Sequence, residues 1–463
     1  MTRVDQLATP ELLVSVDRNG GGPLRAQIER ELRQAVRSGR LRAGTQLPST
    51  RVLARQLGVA RGVVVEAYAQ LAAEGYLSTR QGAPTRVAAV AAQRRHERPR
   101  RASPPPPRYD LRPSVPDLAA FPRRVWLAAE RRALTALPHA ALDYAEMHGS
   151  ERLRSALASY LGRARGLVAA PERIVVTSGT LQSVGLLANV LRARGIERIA
   201  VEHPGFHIHR ALLRRRGLGV VPVPVDGEGL VVERLPAAGT RAVLVTPAHQ
   251  MPLGAVLPPA RRAALLDWAE RHDALVIEDD FDGEYRYDRE PVGALQGLAP
   301  ERVAYLGSAS KVLAPALRIG WMVLPSWIER ELAEEKAWAD AGSPLVGQLA
   351  LADMIERGEL DRHLRRVRSS YRRRRDVMLA GIERLFPGVR VLGVAAGLHV
   401  AVQPPALVDE RALVRRAAAR GVALFAFRDG VANASTLLLG YANVPEPSIE
   451  PALRELRAAY ESP

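Results

Sequence analysis

The sequence predicts an α/β protein in two parts: a small N-terminal winged helix-turn-helix, then a large domain on a mainly parallel, doubly wound sheet. Three observations predict it. Within residues 1–87, short amphipathic helical patterns are followed by two short β-type runs around a Gly-Ala-Pro turn. From Asp117 onward, apolar runs such as RIVVT, AVLVTP and ALVIEDD alternate with helical patterns. Between these parts, residues 88–116 contain RRHERPRRASPPPPR, whose run Pro104 to Pro107 cannot enter a helix or sheet interior and favours an extended spacer.

Charge divides the same way. The 463 residues carry 66 Lys+Arg against 49 Asp+Glu, a net of +17. Residues 1–108 hold 19 arginines and 8 acids, a net of +11, leaving +6 for the other 355. A basic excess concentrated in the first quarter is the electrostatic footprint of a module that meets nucleic acid. Only two of the basic residues, Lys311 and Lys336, are lysines. Arginine replaces lysine freely as a solvated charge but cannot deprotonate and form a Schiff base, so a retained lysine is a candidate for chemistry.

Composition also excludes several functions. Neither lysine follows a glycine, so there is no GxxxxGK phosphate loop, and GxGxxG and HExxH are absent. The absence of cysteine removes disulfides, thiolate metal sites and cysteine catalysis. The start MTRVDQLATPELLVSV lacks a signal-peptide pattern, and no apolar run approaches membrane-spanning length, so a soluble cytoplasmic protein is expected.

In the N-terminal module, Leu24, Ile28, Leu32 and Val36 form one helical stripe ending near Gly39. Ser49 is the expected N-cap of a second helix with Val52, Leu53 and Leu57, stopped by Gly58. A third helix carries Val64, Ala67, Tyr68 and Leu71 and stops at Gly75, and LSTRQGAPTRVA then forms the wing. In this geometry the later helix enters the major groove by its N-terminus, where Arg61 stands. Arg51 begins the preceding helix, and Arg80 and Arg86 lie on the wing; these four arginines are the expected DNA contacts.

In the large domain, the strand 173–177 runs into SGT at a helix start, so the amides of Gly179, Thr180 and Leu181 can cradle a phosphate. The spacing of Asp279, Lys311 and Arg318 suits pyridoxal phosphate: lysine for the Schiff base, aspartate for the pyridinium proton, and arginine for the phosphate. An aspartate beside a cationic ring is expected to stay ionised. Lys336, within IERELAEEKAWAD, is expected to be a solvated residue making i,i+4 pairs. His203, His207 and His209 form an HxxxHxH cluster, but the segment already has a cofactor-facing reading and no metal site is assigned to it.

Over Pro23 to Val87 the chain resembles the GntR-type winged helix, through PLRAQI, GRLRAGTQLPSTR, LARQLGVAR and AYAQLAAEGY. It departs from that pattern at Ala60, Val63 and Pro84, where Ser or Thr, Thr and Gly are usual. The remainder resembles the aspartate-aminotransferase type of pyridoxal-phosphate fold type I, and the whole is similar to MocR-type regulators, which fuse the two. The matching segments include TSGTLQS, EHPGF, TPAHQMPLG, VIEDDFDGEYRY, LGSASKVLAPALRIGWMVLP, AAGLHV and LLLGYA.

The resemblance implies that Lys311 holds the cofactor as a Schiff base, Asp279 meets the pyridine nitrogen and Phe206 stacks on the ring. Ser308, Arg318 and the 179–181 amides are then implied at the phosphate, and Tyr144 at the phosphate of a partner subunit, in a motif where YGDPxG reads YAEMHG. Two departures bear on activity. Phe281 replaces a tyrosine that bonds the cofactor's phenolic oxygen, and Leu438 replaces the arginine that clamps a substrate carboxylate. Both oppose efficient transamination. The expected function is a homodimeric, DNA-binding regulator that senses pyridoxal phosphate or its amine adduct; the alternative is a working aminotransferase with an accessory DNA-binding head.

Overall fold

Contacts divide the chain into two units, Met1–Pro105 and Pro106–Pro463. The computed structural model describes residues 15–17, 22–80, 82–89, 106–144, 146–288, 292–429 and 434–462. Most of the Arg/Pro-rich spacer, residues 90–105, lies outside the described residues.

In the first unit, α1 (Leu24–Arg37), α2 (Thr50–Leu57) and α3 (Arg61–Ala73) surround a core of Ile28, Leu32, Leu53, Val64, Ala67 and Leu71. Ser49 caps α2 by accepting from the Val52 amide at 3.3 Å, and Gly58 closes it in the left-handed region at φ +63°. The Tyr68 hydroxyl donates to the Pro48 carbonyl at 3.0 Å, fixing α3 against the entry to α2. Then β1 (Leu77–Ser78) and β2 (Arg86–Val87) pair antiparallel as the wing. The expected stripes are buried except at their ends: Leu24 and Leu57 are half-buried and Val52 is exposed.

The second unit is built on an eight-stranded sheet. Its order is Ile174–Thr177, Gly320–Val323, Val303–Ser308, Leu275–Asp279, Ala242–Val245, Arg198–His203, Gly219–Asp226 and Gly229–Leu230. Gly320–Val323 runs antiparallel to both neighbours and Gly229–Leu230 to its own, while the other pairings are parallel. The middle strands are buried on both faces, which is why they read as continuous apolar runs. Helices cover both faces, and their cores include Leu187 and Leu191 in one and Leu265 and Trp268 in another.

A second, antiparallel sheet of Arg390–Leu392, His399–Gln403, Ala434–Gly440 and Phe425–Asp429 packs with the helices Glu359–Leu385 and Glu446–Glu461. The boundary expected from composition is corrected here. Tyr109–Asp110, placed in the spacer by its proline-rich surroundings, forms a parallel pair with Val422–Ala423, and Leu111 is fully buried. Two residues of strand beside a proline run carry no periodicity to read; their burial arises from a partner more than 300 residues away.

Candidate functional site

The site forms at the C-terminal strand ends, where an open α/β sheet binds ligands. The Ile174–Thr177 strand turns through Ser178 and Gly179 into the helix Thr180–Ala193. Gly179 adopts φ +117°, and a Cβ on it would lie 3.2 Å from the Arg318 guanidinium. Gly320 is equally constrained: a Cβ there would meet the Gly179 Cα at 2.6 Å. Arg318 itself sits in the left-handed region at φ +53°, a strain that places its guanidinium against the turn. Three expected phosphate-binding elements, the Gly179 turn, the start of the following helix and Arg318, are therefore adjacent. Ser308 is the N-cap of Ala309–Val312, its hydroxyl accepting from the Ser310 amide at 3.4 Å.

The acidic segment after Ile277 sorts its carboxylates by partner. Glu278 accepts from the Leu295 and Gln296 amides. Asp280 takes a bidentate pair from Arg165 at 2.7 and 3.0 Å and the Tyr305 hydroxyl at 2.8 Å, all buried. Asp282 pairs with His249 Nδ1 at 3.0 Å. Asp279 differs: its Oδ1 is buried without a hydrogen-bond partner, and its Oδ2 lies 3.7 Å from His209 Nδ1. Burial and then the adjacent Asp280 charge push Asp279 up to about 8, and burial pushes His209 down to about 4, so near neutral pH this contact joins two uncharged groups. The Lys311 charge opposes this upward shift of Asp279, and a cationic ring at the site would act in the same direction.

Lys311 follows the Val303–Ser308 strand, and its ammonium donates to the Ser114 carbonyl at 2.7 Å. Burial lowers its pKa, against the opposing charges of Asp282 and Asp279, the direction that favours a nucleophilic amine. Phe206, at the N-terminus of His207–Arg215, makes an edge contact with Phe281 at 5.3 Å and a tilted one with His209 at 5.0 Å. Phe281, Leu438, Met251 and Ala401 form one apolar cluster with Phe206 and Phe427 packed against it. The two departures read in the sequence are therefore neighbours in space. The three histidines of HxxxHxH diverge: His209 to Asp279, His207 to a stack on Phe425, and His203 to Arg210.

These residues fit pyridoxal phosphate. The unpartnered Asp279 oxygen matches a pyridinium N–H, the Gly179 turn with Arg318 matches a phosphate, and Lys311 supplies the amine. Tyr144 stands apart from this set: it is 86% exposed and lines a surface cavity with Asp340–Leu345.

Sequence reasoning missed the buried Arg165–Asp280 pair, the His249–Asp282 pair and Ser114. It also misplaced Lys336. The expected i,i+4 pair with Asp340 is present at 2.8 Å, but Lys336 is fully buried rather than solvated and also donates to Ser343. Asp340 in turn accepts from Gln182 Nε2 at 2.8 Å, and Gln182 Oε1 accepts the Ser178 amide at 2.6 Å. The second lysine thus anchors the turn before Gly179. The scarcity of lysine was the available signal; the burial of its helix face was not legible.

In the first unit Arg51, Arg61, Arg80 and Arg86 are all exposed. Arg61 Nε donates to Thr50 Oγ1 at 3.4 Å, joining the starts of α2 and α3. Arg86 donates to the Gly44 carbonyl at 2.9 Å and to Gln46, so part of its guanidinium holds the wing to the preceding loop.

Comparison with known proteins agrees with both units. Residues 24–87 match the family "Bacterial regulatory proteins, gntR family", and residues 115–456 match "Aminotransferase class I and II". The pyridoxine biosynthesis regulator PdxR of Corynebacterium glutamicum is 36% identical over 446 residues, covering 94% of this chain and 95% of that one. The probable rhizopine catabolism regulatory protein MocR of Rhizobium meliloti is 33% identical, covering 97% and 96%. Among solved structures, α-aminoadipate aminotransferase LysN of Thermus thermophilus, complexed with a phosphopyridoxyl-leucine, aligns with TM-score 0.68 and 27% identity over 76% of this chain and 91% of that one. Kynurenine aminotransferase of Pyrococcus horikoshii aligns with TM-score 0.68 and 28% identity over 76% and 90%. The chain belongs to the MocR and PdxR type of helix-turn-helix transcriptional regulators, in which a gntR-family head precedes an aminotransferase class I and II domain.

Proposed function

We propose that this regulator binds pyridoxal phosphate at Lys311 and that occupancy of the site, by the cofactor or by an amine joined to it, changes the affinity of the winged helix for its operator. The observation that carries this reading is the buried Asp279 Oδ1 without a partner, beside Glu278, Asp280 and Asp282, which are each engaged. When bound, pyridoxal phosphate supplies an aldehyde that condenses with primary amines and a ring that withdraws electrons.

The chain's own residues do the rest. The Gly179 turn and Arg318 hold the phosphate, Phe206 covers the ring face, and Asp279 gives up its proton and keeps one on the ring nitrogen. Ser114 orients the Lys311 amine through its carbonyl. With Phe281 and Leu438 in one apolar cluster, neither a hydroxyl nor a guanidinium stands there to hold the phenolic oxygen or an α-carboxylate. That favours sensing over turnover.

In the first unit, Arg51 and Arg61 present the α2 and α3 N-termini to base edges, and Arg80 and Arg86 follow the backbone from the wing. Effector binding shifts the population between DNA-competent and DNA-incompetent states by its differential affinity for the two. The protein acts as a cytoplasmic homodimer. A chromosomal partner implies the cytoplasm, and the exposed Leu127 and Leu134, seven residues apart on the helix Arg123–Ala136, support self-association. Among the described residues no helix is long and apolar enough to cross a membrane.

The test is a titration of its own upstream intergenic DNA with purified protein, with and without pyridoxal phosphate, in wild type and Lys311→Ala. A cofactor-dependent change in affinity that the variant loses supports the reading. Identical curves would overturn it, and sustained conversion of an amino acid to its keto acid would establish the aminotransferase alternative.

A further inference from the structure

A cavity of about 330 Å³ opens in front of Phe206, at the end of the Arg198–His203 strand. A second cavity, about 430 Å³ and lined by Arg198, Trp268 and His272, lies at the opposite, N-terminal strand ends, where an open sheet does not bind its ligand. The Phe206 cavity has two kinds of wall. One is apolar: Met251, Phe425 and Phe427, with Phe425 still 37% exposed. The other is cationic: Arg210 is half-buried, its Nη1 lies 2.9 Å from His203 Nδ1, and among the described residues no carboxylate pairs with it. Burial and the neighbouring Arg214 charge both lower its pKa. A guanidinium in an apolar wall without a counter-ion is costly, and a carboxylate that meets it bidentately offsets that cost.

We propose that this cavity takes an aromatic or similarly apolar acid, its carboxylate on Arg210 and its body against Phe206 and Phe425, and that such an acid is part of the effector the regulator detects. The acid belongs at Arg210 because the Leu438–Phe281 cluster offers no polar group to an α-carboxylate. Ser114, whose carbonyl takes the Lys311 ammonium, lines the same cavity, so an effector amine lies on the Lys311 side, separated from the acid by the apolar body. The assignment of the amine end rests on the cofactor reading above; the acid end does not.

The experiment is calorimetric titration of the full-length protein with 4-methylbenzoate, which has no amine and cannot condense with the cofactor, against its neutral isostere 4-methylbenzamide. The benzoate is expected to bind at least about tenfold more tightly, and Arg210→Gln to erase that preference. Arg215→Gln, exposed and turned away from Arg210 on the same helix, keeps it. Phe425→Ala weakens both ligands and serves as the independent check if Arg210→Gln does not fold. Equal binding of the two compounds, binding of neither, a preference that survives Arg210→Gln, or indifference to Phe425→Ala overturns the proposal. Visible absorbance on adding pyridoxal phosphate is recorded separately: its absence with the benzoate preference intact defeats only the cofactor reading, and the converse defeats only this one.

Discussion

Asp279 and His209 face each other at 3.7 Å inside the sheet's C-terminal edge, and burial leaves both uncharged near neutral pH. A carboxylate on a buried strand end carries a desolvation cost that a cation at its unpartnered Oδ1 relieves.

That cost sets a pH dependence for protein freed of cofactor. Asp279 titrates near 8 when folded against an ordinary 3.8, so folding retains a proton between these values. Stability contributed by this group is complete below about pH 4 and falls as pH rises through about 8, with a limiting slope of about 1.4 kcal/mol per pH unit. Asp279→Asn removes the titration and keeps the shape. The difference in melting temperature between the Asp279→Asn variant and wild type is expected to move in favour of the variant from pH 5 to pH 8.5, while its affinity for pyridoxal phosphate falls. Parallel pH profiles would refute the burial argument.

Lys311→Arg preserves a cation near Ser114 and Asp279 but cannot supply a free amine. Visible absorbance after adding pyridoxal phosphate is expected to vanish in this variant, with the far-ultraviolet circular dichroism unchanged. Retained absorbance would place the reactive amine elsewhere, and Lys336 is the other lysine in the chain.

Lys336 supports the site from a distance. Its replacement by Met leaves Asp340 with a lost charge partner and loosens Gln182, which holds the Ser178 amide. Because Asp340 is partly exposed, the expected loss is about 1–3 kcal/mol rather than the larger penalty of a fully buried pair. Chemical denaturation measures it. A fall in pyridoxal-phosphate affinity beyond that of an equally destabilised variant elsewhere in the fold distinguishes support of the turn from a general loss of stability.

The wing and the helix starts separate by assay. Arg51→Ala and Arg61→Ala are each expected to cost about 1–3 kcal/mol in discrimination between operator and random DNA, with little change in melting temperature. Arg86 is bonded to Gly44 and Gln46 within the unit, so Arg86→Ala lowers melting temperature as well as affinity. Fluorescence anisotropy beside differential scanning fluorimetry checks the contrast; a purely stabilising role for Arg61 would appear as lost stability with discrimination intact.

Several features were legible because they are local or periodic. The α3 stripe of Val64, Ala67, Tyr68 and Leu71 is buried as its spacing requires, and the doubly wound sheet follows from apolar strands separated by helices. Asp279, Lys311 and Arg318 could be selected by residue type and spacing, since only a few side chains perform that chemistry.

By itself, then, the sequence determined the two-part architecture, the family, and which lysine is the candidate for chemistry. Tertiary structure decided what each charge does. It gave Asp280 to Arg165, Asp282 to His249 and left Asp279 with a free oxygen; it buried Lys336, joined Tyr109 to Val422, and set Leu438 against Phe281. The physical reason is that desolvation and partner choice depend on groups far apart in the chain, and periodicity records which face is buried but not what is buried against it.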